Sequence, residues 1–73
     1  MSNYYNEKQK ANIRIANILQ SGKMSKQELS INRIILEVTK NFQVGELSVL
    51  KRIKLIQSVQ EDFDIIGDTI VFK

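Results

Sequence analysis

The chain has 73 residues, of which 42% are apolar, and it contains neither cysteine nor histidine. The lack of cysteine excludes disulfides and thiolate metal sites, and the lack of histidine removes the commonest general base. No apolar run approaches the roughly 20 residues of a membrane span, and no signal-peptide pattern opens the chain. We therefore expect one small cytoplasmic domain over residues 1–73, with no membrane segment, no cofactor and no enzymatic activity.

The net charge of +3 is distributed unevenly along the chain. Residues 1–60 carry ten basic residues against four acidic ones, a net charge of +6. Residues 61–73 carry Lys73 against four acidic residues, a net charge of −3. A basic body followed by an acidic segment indicates that the body binds a polyanion.

The first predicted helix covers residues 7–21 and ends at Gly22. Residues recur on one face of it at three- and four-residue steps, a pattern typical of an amphipathic helix. This stripe consists of Tyr4, Lys8, Ala11, Ile15, Ile18 and Leu19. Ile13 lies off the stripe, so it is either an isolated exposed residue or part of a dimer interface.

A capping box at Ser25–Glu28 predicts the start of a second helix, over residues 26–41. Its main apolar stripe consists of Ile31, Ile34, Ile35, Val38 and Phe42, with Leu29 and Leu36 on the other side. Ser30 and Asn32 leave open a break after a short first turn. Of the two interpretations, we favour the long helix.

A third helix is predicted over residues 45–60, after a short connector at residues 41–45 that contains a glycine. Its apolar face carries Val49, Leu50, Ile53 and Ile56. The opposite side carries Lys51, Lys54 and Ser58, with Ser48 at its margin, and it also includes Leu47 and Leu55. A helix that exposes cations, hydroxyls and two leucines is suited to contact a partner.

The last segment predicts a β-hairpin. Residues 63–66 and 69–72 are β-branched and aromatic, and they flank Gly67-Asp68, a pair that favours a two-residue hairpin turn. A lone hairpin is marginally stable in water, so we expect it to pack on the helices. The predicted fold class is mainly α with a small β-hairpin: three helices followed by a two-stranded hairpin.

Residues 11–73 resemble a small winged helix-turn-helix domain of the type found in archaeal, plasmid and phage regulators. The resemblance rests on the second helix from Ser25, the turn at residues 43–45, the segment Ser48–Ile53 and the hairpin at residues 65–70. It implies a transcriptional regulator that inserts the helix 45–60 into the major groove of duplex DNA, typically as a homodimer. The implied DNA-binding residues are Lys26 at the start of the second helix and Ser48, Lys51, Arg52, Lys54 and Ser58 on the third.

Two features favour a protein partner instead. Asp64 and Asp68 make the hairpin acidic, so phosphates would repel it, and Leu47 and Leu55 suit few base contacts other than thymine methyl groups. The alternative function is a winged-helix interaction module that docks through the Leu47 and Leu55 face or through the acidic wing. The candidate partner or dimer interface is therefore Ile13, Leu47 and Leu55. The acids at positions 61, 62 and 64 lie too close in sequence for a convincing catalytic or metal site.

Overall fold

The computed structural model describes residues 3–73, with side chains from Asn6 onwards. Three helices and a small antiparallel sheet make the chain mainly helical, as the sequence predicts. The predicted contribution of Tyr4 to the first helical stripe lies outside the described side chains. In chain order the elements are α1 (Asn3–Ser25), β1 (Leu29–Ser30), α2 (Ile31–Asn41), α3 (Glu46–Gln60), β2 (Phe63–Ile66) and β3 (Thr69–Phe72).

The core forms where the apolar stripes of the three helices meet the sheet. Most stripe residues predicted from the sequence are buried, because each helix turns its apolar face inward. The exposed Lys8 is an exception. The buried apolar residues are Ala11, Ile15, Leu19, Ile31, Ile34, Ile35, Val38, Val49, Ile53, Phe63 and Ile70.

Helix α1 continues past the predicted stop at Gly22 and ends at Ser25. Gly22 is needed inside the helix because the chain packs closely there. A Cβ added to it would lie 2.7 Å from Leu29 Cδ1 and 2.9 Å from Phe72 Cε2. Real Cβ atoms essentially never approach another heavy atom that closely. The glycine therefore permits α1 to contact β1 and β3, and it is not a C-terminal cap.

The end of α1 is a Schellman motif, and the predicted capping box at Ser25 is wrong. The Lys26 N–H donates to the carbonyl of Lys23 (3.3 Å), and the Gln27 N–H donates to the carbonyl of Gly22 (3.0 Å). Lys26 takes the left-handed conformation that this motif requires, with φ = 54°. The Ser25 hydroxyl donates back to the carbonyl of Ser21 (2.8 Å), so it closes α1 and does not open α2.

Helix α2 starts at Ile31, five residues later than predicted, so the long helix is wrong, and no short first helical turn precedes Ser30 either. Ser30 is the N-cap, and its hydroxyl oxygen accepts a hydrogen bond from the Arg33 N–H (3.3 Å). Leu29 and Ser30 instead form β1, which pairs antiparallel with Ile70 and Thr69 of β3. The two-stranded hairpin of the sequence analysis is thus part of a three-stranded sheet in the order β1-β3-β2.

The hairpin has the predicted strands and turn. Ile66 pairs with Thr69, so Gly67 and Asp68 form a two-residue turn. The φ angle of Gly67 is +61° and that of Asp68 is not positive, which is the combination found in a type II′ turn. At the other end of the hairpin, the Phe63 and Phe72 rings meet edge to face with centroids 5.6 Å apart.

The tip of the hairpin is bound to the N-terminus of α2. The Asp68 carboxylate accepts hydrogen bonds from the Asn32 N–H (2.8 Å) and the Ser30 hydroxyl (2.6 Å). The Asp68 carbonyl accepts a third from the Ile31 N–H (2.7 Å). Because these N–H groups have no partner within the helix, Asp68 supplies part of the cap that α2 needs.

A connector of four residues, 42–45, sets the position of α3 relative to α2. The Phe42 N–H donates to the carbonyl of Val38 and ends α2 (2.9 Å). Arg14 of α1 holds the Phe42 ring in place, because its guanidinium carbon lies 5.6 Å from the ring centroid and its Nη1 lies 3.1 Å from a Glu37 oxygen. Helix α3 is therefore fixed by both of the helices that precede it.

Candidate nucleic-acid interface

Helix α3 has a buried face and a solvent-exposed strip opposite to it. Val49 and Ile53 are fully buried, and Leu50 and Ile56 are half-buried, as the apolar stripe predicts. At about 100° per residue, the opposite side of the helix points into solvent. We call this side the α3 strip, which consists of Leu47, Lys51, Lys54, Leu55 and Ser58.

Two cations of the α3 strip have no counter-ion. Lys51 and Lys54 are exposed, one helical turn apart, and neither forms an ion pair or hydrogen bond with any side chain that the structure describes. The Ser58 hydroxyl donates to the carbonyl of Leu55 (2.8 Å), which leaves its oxygen free to accept a hydrogen bond. Ser48 lies half-buried at the margin of the strip. The strip can therefore receive a polyanion without first breaking an internal ion pair.

Leucines lie among these cations. Leu47 is 70% exposed and Leu55 is 50% exposed, as the sequence analysis expected of both. Ile13 is 62% exposed but belongs to α1. The candidate interface residues are thus divided between two helices.

The structure does not bring Arg52 onto the α3 strip. About 100° of helical rotation separates Arg52 from Lys51, so its side chain points towards α1 and the hairpin. There it is half-buried and lines a cleft together with Lys23 and Asp62. Its Nε is shielded from solvent and has no hydrogen-bond acceptor among the described residues.

Lys26 does not lie at the start of α2, so its position relative to that helix was predicted wrongly, whereas its contact with DNA stays a prediction. The residue occupies the left-handed position after α1, four residues before the Ser30 cap. The free N–H groups expected to help bind a phosphate are already engaged, because Asp68 accepts from Ile31 and Asn32. Lys26 remains an exposed cation without that arrangement.

Most acidic groups of residues 61–73 have partners within the fold. Asp62 lies 2.8 Å from the Lys23 ammonium, and Asp64 lies 3.7 Å from that of Lys73. The Asp68 carboxylate caps α2. The negative charge of residues 61–73 is therefore partly balanced by the Lys23 and Lys73 ammonium groups and by the N-terminal dipole of α2.

Sequence analysis overlooked a second basic strip, on α2. Arg33 and Lys40 are exposed seven residues apart, and neither has an ion-pair partner in the described part of the chain. Leu36 lies between them and is 67% exposed. A helical wheel places all three opposite the buried Ile31, Ile34 and Val38, so the signal was present in the sequence.

Residues 3–73 contain no group of three or more acidic side chains placed to hold a metal ion. None of the helices in this range has the length and apolar character needed to cross a membrane. Comparison with protein-family models, with curated proteins and with solved structures gave no match.

Proposed function

We propose that this chain is a winged helix-turn-helix protein that binds duplex DNA and regulates transcription in the cytoplasm. The observation that carries the proposal is the pair Lys51 and Lys54, which are exposed on the α3 strip and have no ion-pair partner among the described residues, while Asp62, Asp64 and Asp68 have partners inside the fold. Cations without internal counter-ions are available to phosphates, whose neutralisation supplies most of non-specific DNA affinity.

The order of the elements supports the winged-helix assignment. Helices α2 and α3 are joined by a connector of four residues, and the hairpin β2–β3 follows α3 directly. Helices α2 and α3 both have exposed cations opposite their core contacts, but Lys51 and Lys54 of α3 lie one helical turn apart, whereas Arg33 and Lys40 of α2 lie two turns apart. These features favour α3 as the helix that enters the major groove.

In this arrangement Lys51 and Lys54 contact phosphates or guanine edges, and the Ser58 oxygen accepts from a base or a backbone group. The methyl groups of Leu47 and Leu55 pack against thymine methyls. Arg33 and Lys40 on α2 supply further positive charge. A single recognition helix makes few contacts, so we propose a homodimer that binds two half-sites.

Salt-dependent binding to duplex DNA tests this function. We expect affinity to fall steeply with salt, and we expect Lys51→Ala combined with Lys54→Ala to reduce the slope of log affinity against log salt by about 2 for each bound protomer. Fluorescence anisotropy with labelled duplexes of mixed sequence, at several salt concentrations, measures both quantities.

The matched control is Lys8→Ala combined with Lys10→Ala, which removes the same charge from α1. We expect that variant to retain nearly the wild-type slope. Equal slopes for the two double variants would mean that α3 is not the contact helix. An absence of binding by the wild type at low salt would reject the function altogether.

A second candidate function is a protein-interaction module. The observation that favours it is the exposure of Leu47 (70%) and Leu55 (50%) on one side of α3, because apolar side chains exposed on one helix face are available to a protein partner. Protein partners would then bind the α3 strip through its apolar members. Leu47→Lys distinguishes the two functions, because a cation at this position should strengthen a contact with DNA and weaken an apolar contact with a protein.

A further inference from the structure

A cleft of about 300 Å³ lies between α1, α3 and the hairpin. Its volume is at the lower end of the range typical of small-molecule sites. One part of its lining is charged, from Lys23, Arg52 and Asp62, and another is apolar, from Leu19, Ile56 and Phe72. It is separate from the α3 strip, so its role does not depend on whether the chain binds DNA.

The charged part of the lining has an excess cation. The Lys23 ammonium is paired with Asp62 Oδ2 at 2.8 Å, which leaves Arg52 without an acidic partner among the described side chains. A guanidinium group can bind a carboxylate through two parallel hydrogen bonds. Arg52 therefore gives the cleft a net positive charge and an unused bidentate donor.

Two polar atoms of Arg52 and Asp62, in the walls of the cleft, lack hydrogen bonds to any described residue. Within the part of the chain that the structure describes, Arg52 Nε has no acceptor and Asp62 Oδ1 has no donor, although both atoms are shielded from solvent. Buried polar atoms are nearly always hydrogen-bonded in native proteins, so such pairs require an explanation. Small side-chain movements would let one ligand supply the missing acceptor and the missing donor.

We propose that this cleft binds a small organic acid that carries a hydrogen-bond donor and a compact apolar body. Its carboxylate pairs with Arg52, its donor reaches Asp62, and its apolar body packs against Ile56 and Phe72. The Lys23–Asp62 pair holds the acceptor in position. The charge balance favours an acid over an amine, because the Asp62 carboxylate is already paired.

Isothermal titration with 3-hydroxybenzoate, 3-hydroxybenzamide and inorganic phosphate tests the assignment on the DNA-free protein. We expect saturable binding of the benzoate in the millimolar range or tighter, and at least about tenfold weaker binding of the neutral amide. No saturation by the benzoate below about 10 mM would overturn the proposal. Phosphate binding as tight as that of the benzoate would also overturn it, because it would exclude recognition of an apolar body.

Arg52→Gln should weaken benzoate binding at least about tenfold, whereas Arg33→Gln, which removes a cation outside the cleft, should leave it unchanged. Circular dichroism verifies the fold of both variants. If Arg52→Gln is unfolded, Arg52→Lys replaces it, because that change keeps the charge but loses the bidentate fork. Wild-type affinity in a folded Arg52 variant would reject the role of this residue.

Discussion

Asp68 Oδ1 accepts a 2.8 Å hydrogen bond from the backbone N–H of Asn32, 36 residues earlier in the chain. The acidic residue at the tip of the hairpin thus caps a helix, and an anion is stabilised at that position by the helix dipole. The sequence alone suggests that Asp68 repels phosphates. Its engagement with α2 weakens that objection to a DNA-binding function and also fixes the hairpin to the helix before the α2–α3 connector.

Asp68→Ala should lower the free energy of unfolding by about 1–2 kcal/mol, because α2 loses a cap and Ser30 loses its acceptor. For a chain of this length, that corresponds to a fall in Tm of roughly 4–15 °C. Thermal denaturation followed by circular dichroism measures the change. The control is Asp64→Ala, which removes an exposed ion pair and should cost about 0.5 kcal/mol or less. Equal losses in the two variants would contradict the capping role.

Lys26→Gly should stabilise the protein by about 0.5–1 kcal/mol. Lys26 has φ = 54°, a conformation that glycine adopts without the steric cost that a Cβ imposes. Glu61, with φ = 52° at the end of α3, should respond in the same way to Glu61→Gly. Urea denaturation measures both variants. Gln20→Gly inside α1 is the control, and it should destabilise the protein by about 1 kcal/mol. A loss of stability in Lys26→Gly would argue against the Schellman motif.

Gly22→Ala should destabilise the protein by about 1 kcal/mol, although alanine is the better helix former by a similar amount. The added methyl group would meet Leu29 and Phe72 at less than 3 Å. In a double-mutant cycle, Leu29→Ala should cost less in the Gly22→Ala background than in the wild type, because it removes part of the clash. Stabilisation by Gly22→Ala alone would mean that the Leu29 and Phe72 side chains move away from the added methyl group at little cost.

Leu47→Lys distinguishes the two candidate functions. If the α3 strip contacts DNA, a further cation should raise DNA affinity at low salt and steepen the salt slope by up to about 1 for each bound protomer. If the strip instead buries Leu47 against a second copy of the chain, the charge should shift the protein towards monomer. Anisotropy measures the first effect and light scattering the second. Met24→Lys, at a 77% exposed position on α1, is the matched control.

The apolar pattern of each helix predicted its buried face correctly. Val49 and Ile53 of α3 are buried, and Leu47 and Leu55 are exposed, because helical periodicity alone assigns them to opposite sides. The hairpin was equally predictable, since Gly67-Asp68 between two β-branched segments is a local signal. In contrast, the Ser25 capping box was a valid local pattern that does not form, because the Schellman motif ends α1 there and Leu29 pairs with Ile70.

The sequence by itself determined three amphipathic helices, a terminal hairpin and a basic outer side on α3, because these depend on neighbours within a few residues. Only the tertiary structure decided where α2 begins, that β1 joins the sheet, and which charges remain free. Those outcomes depend on contacts between residues far apart in sequence, such as Lys23 with Asp62 and Ser30 with Asp68. A periodic pattern does not predict contacts between residues far apart in sequence, so the sequence alone does not show which charged side chains have partners in the fold.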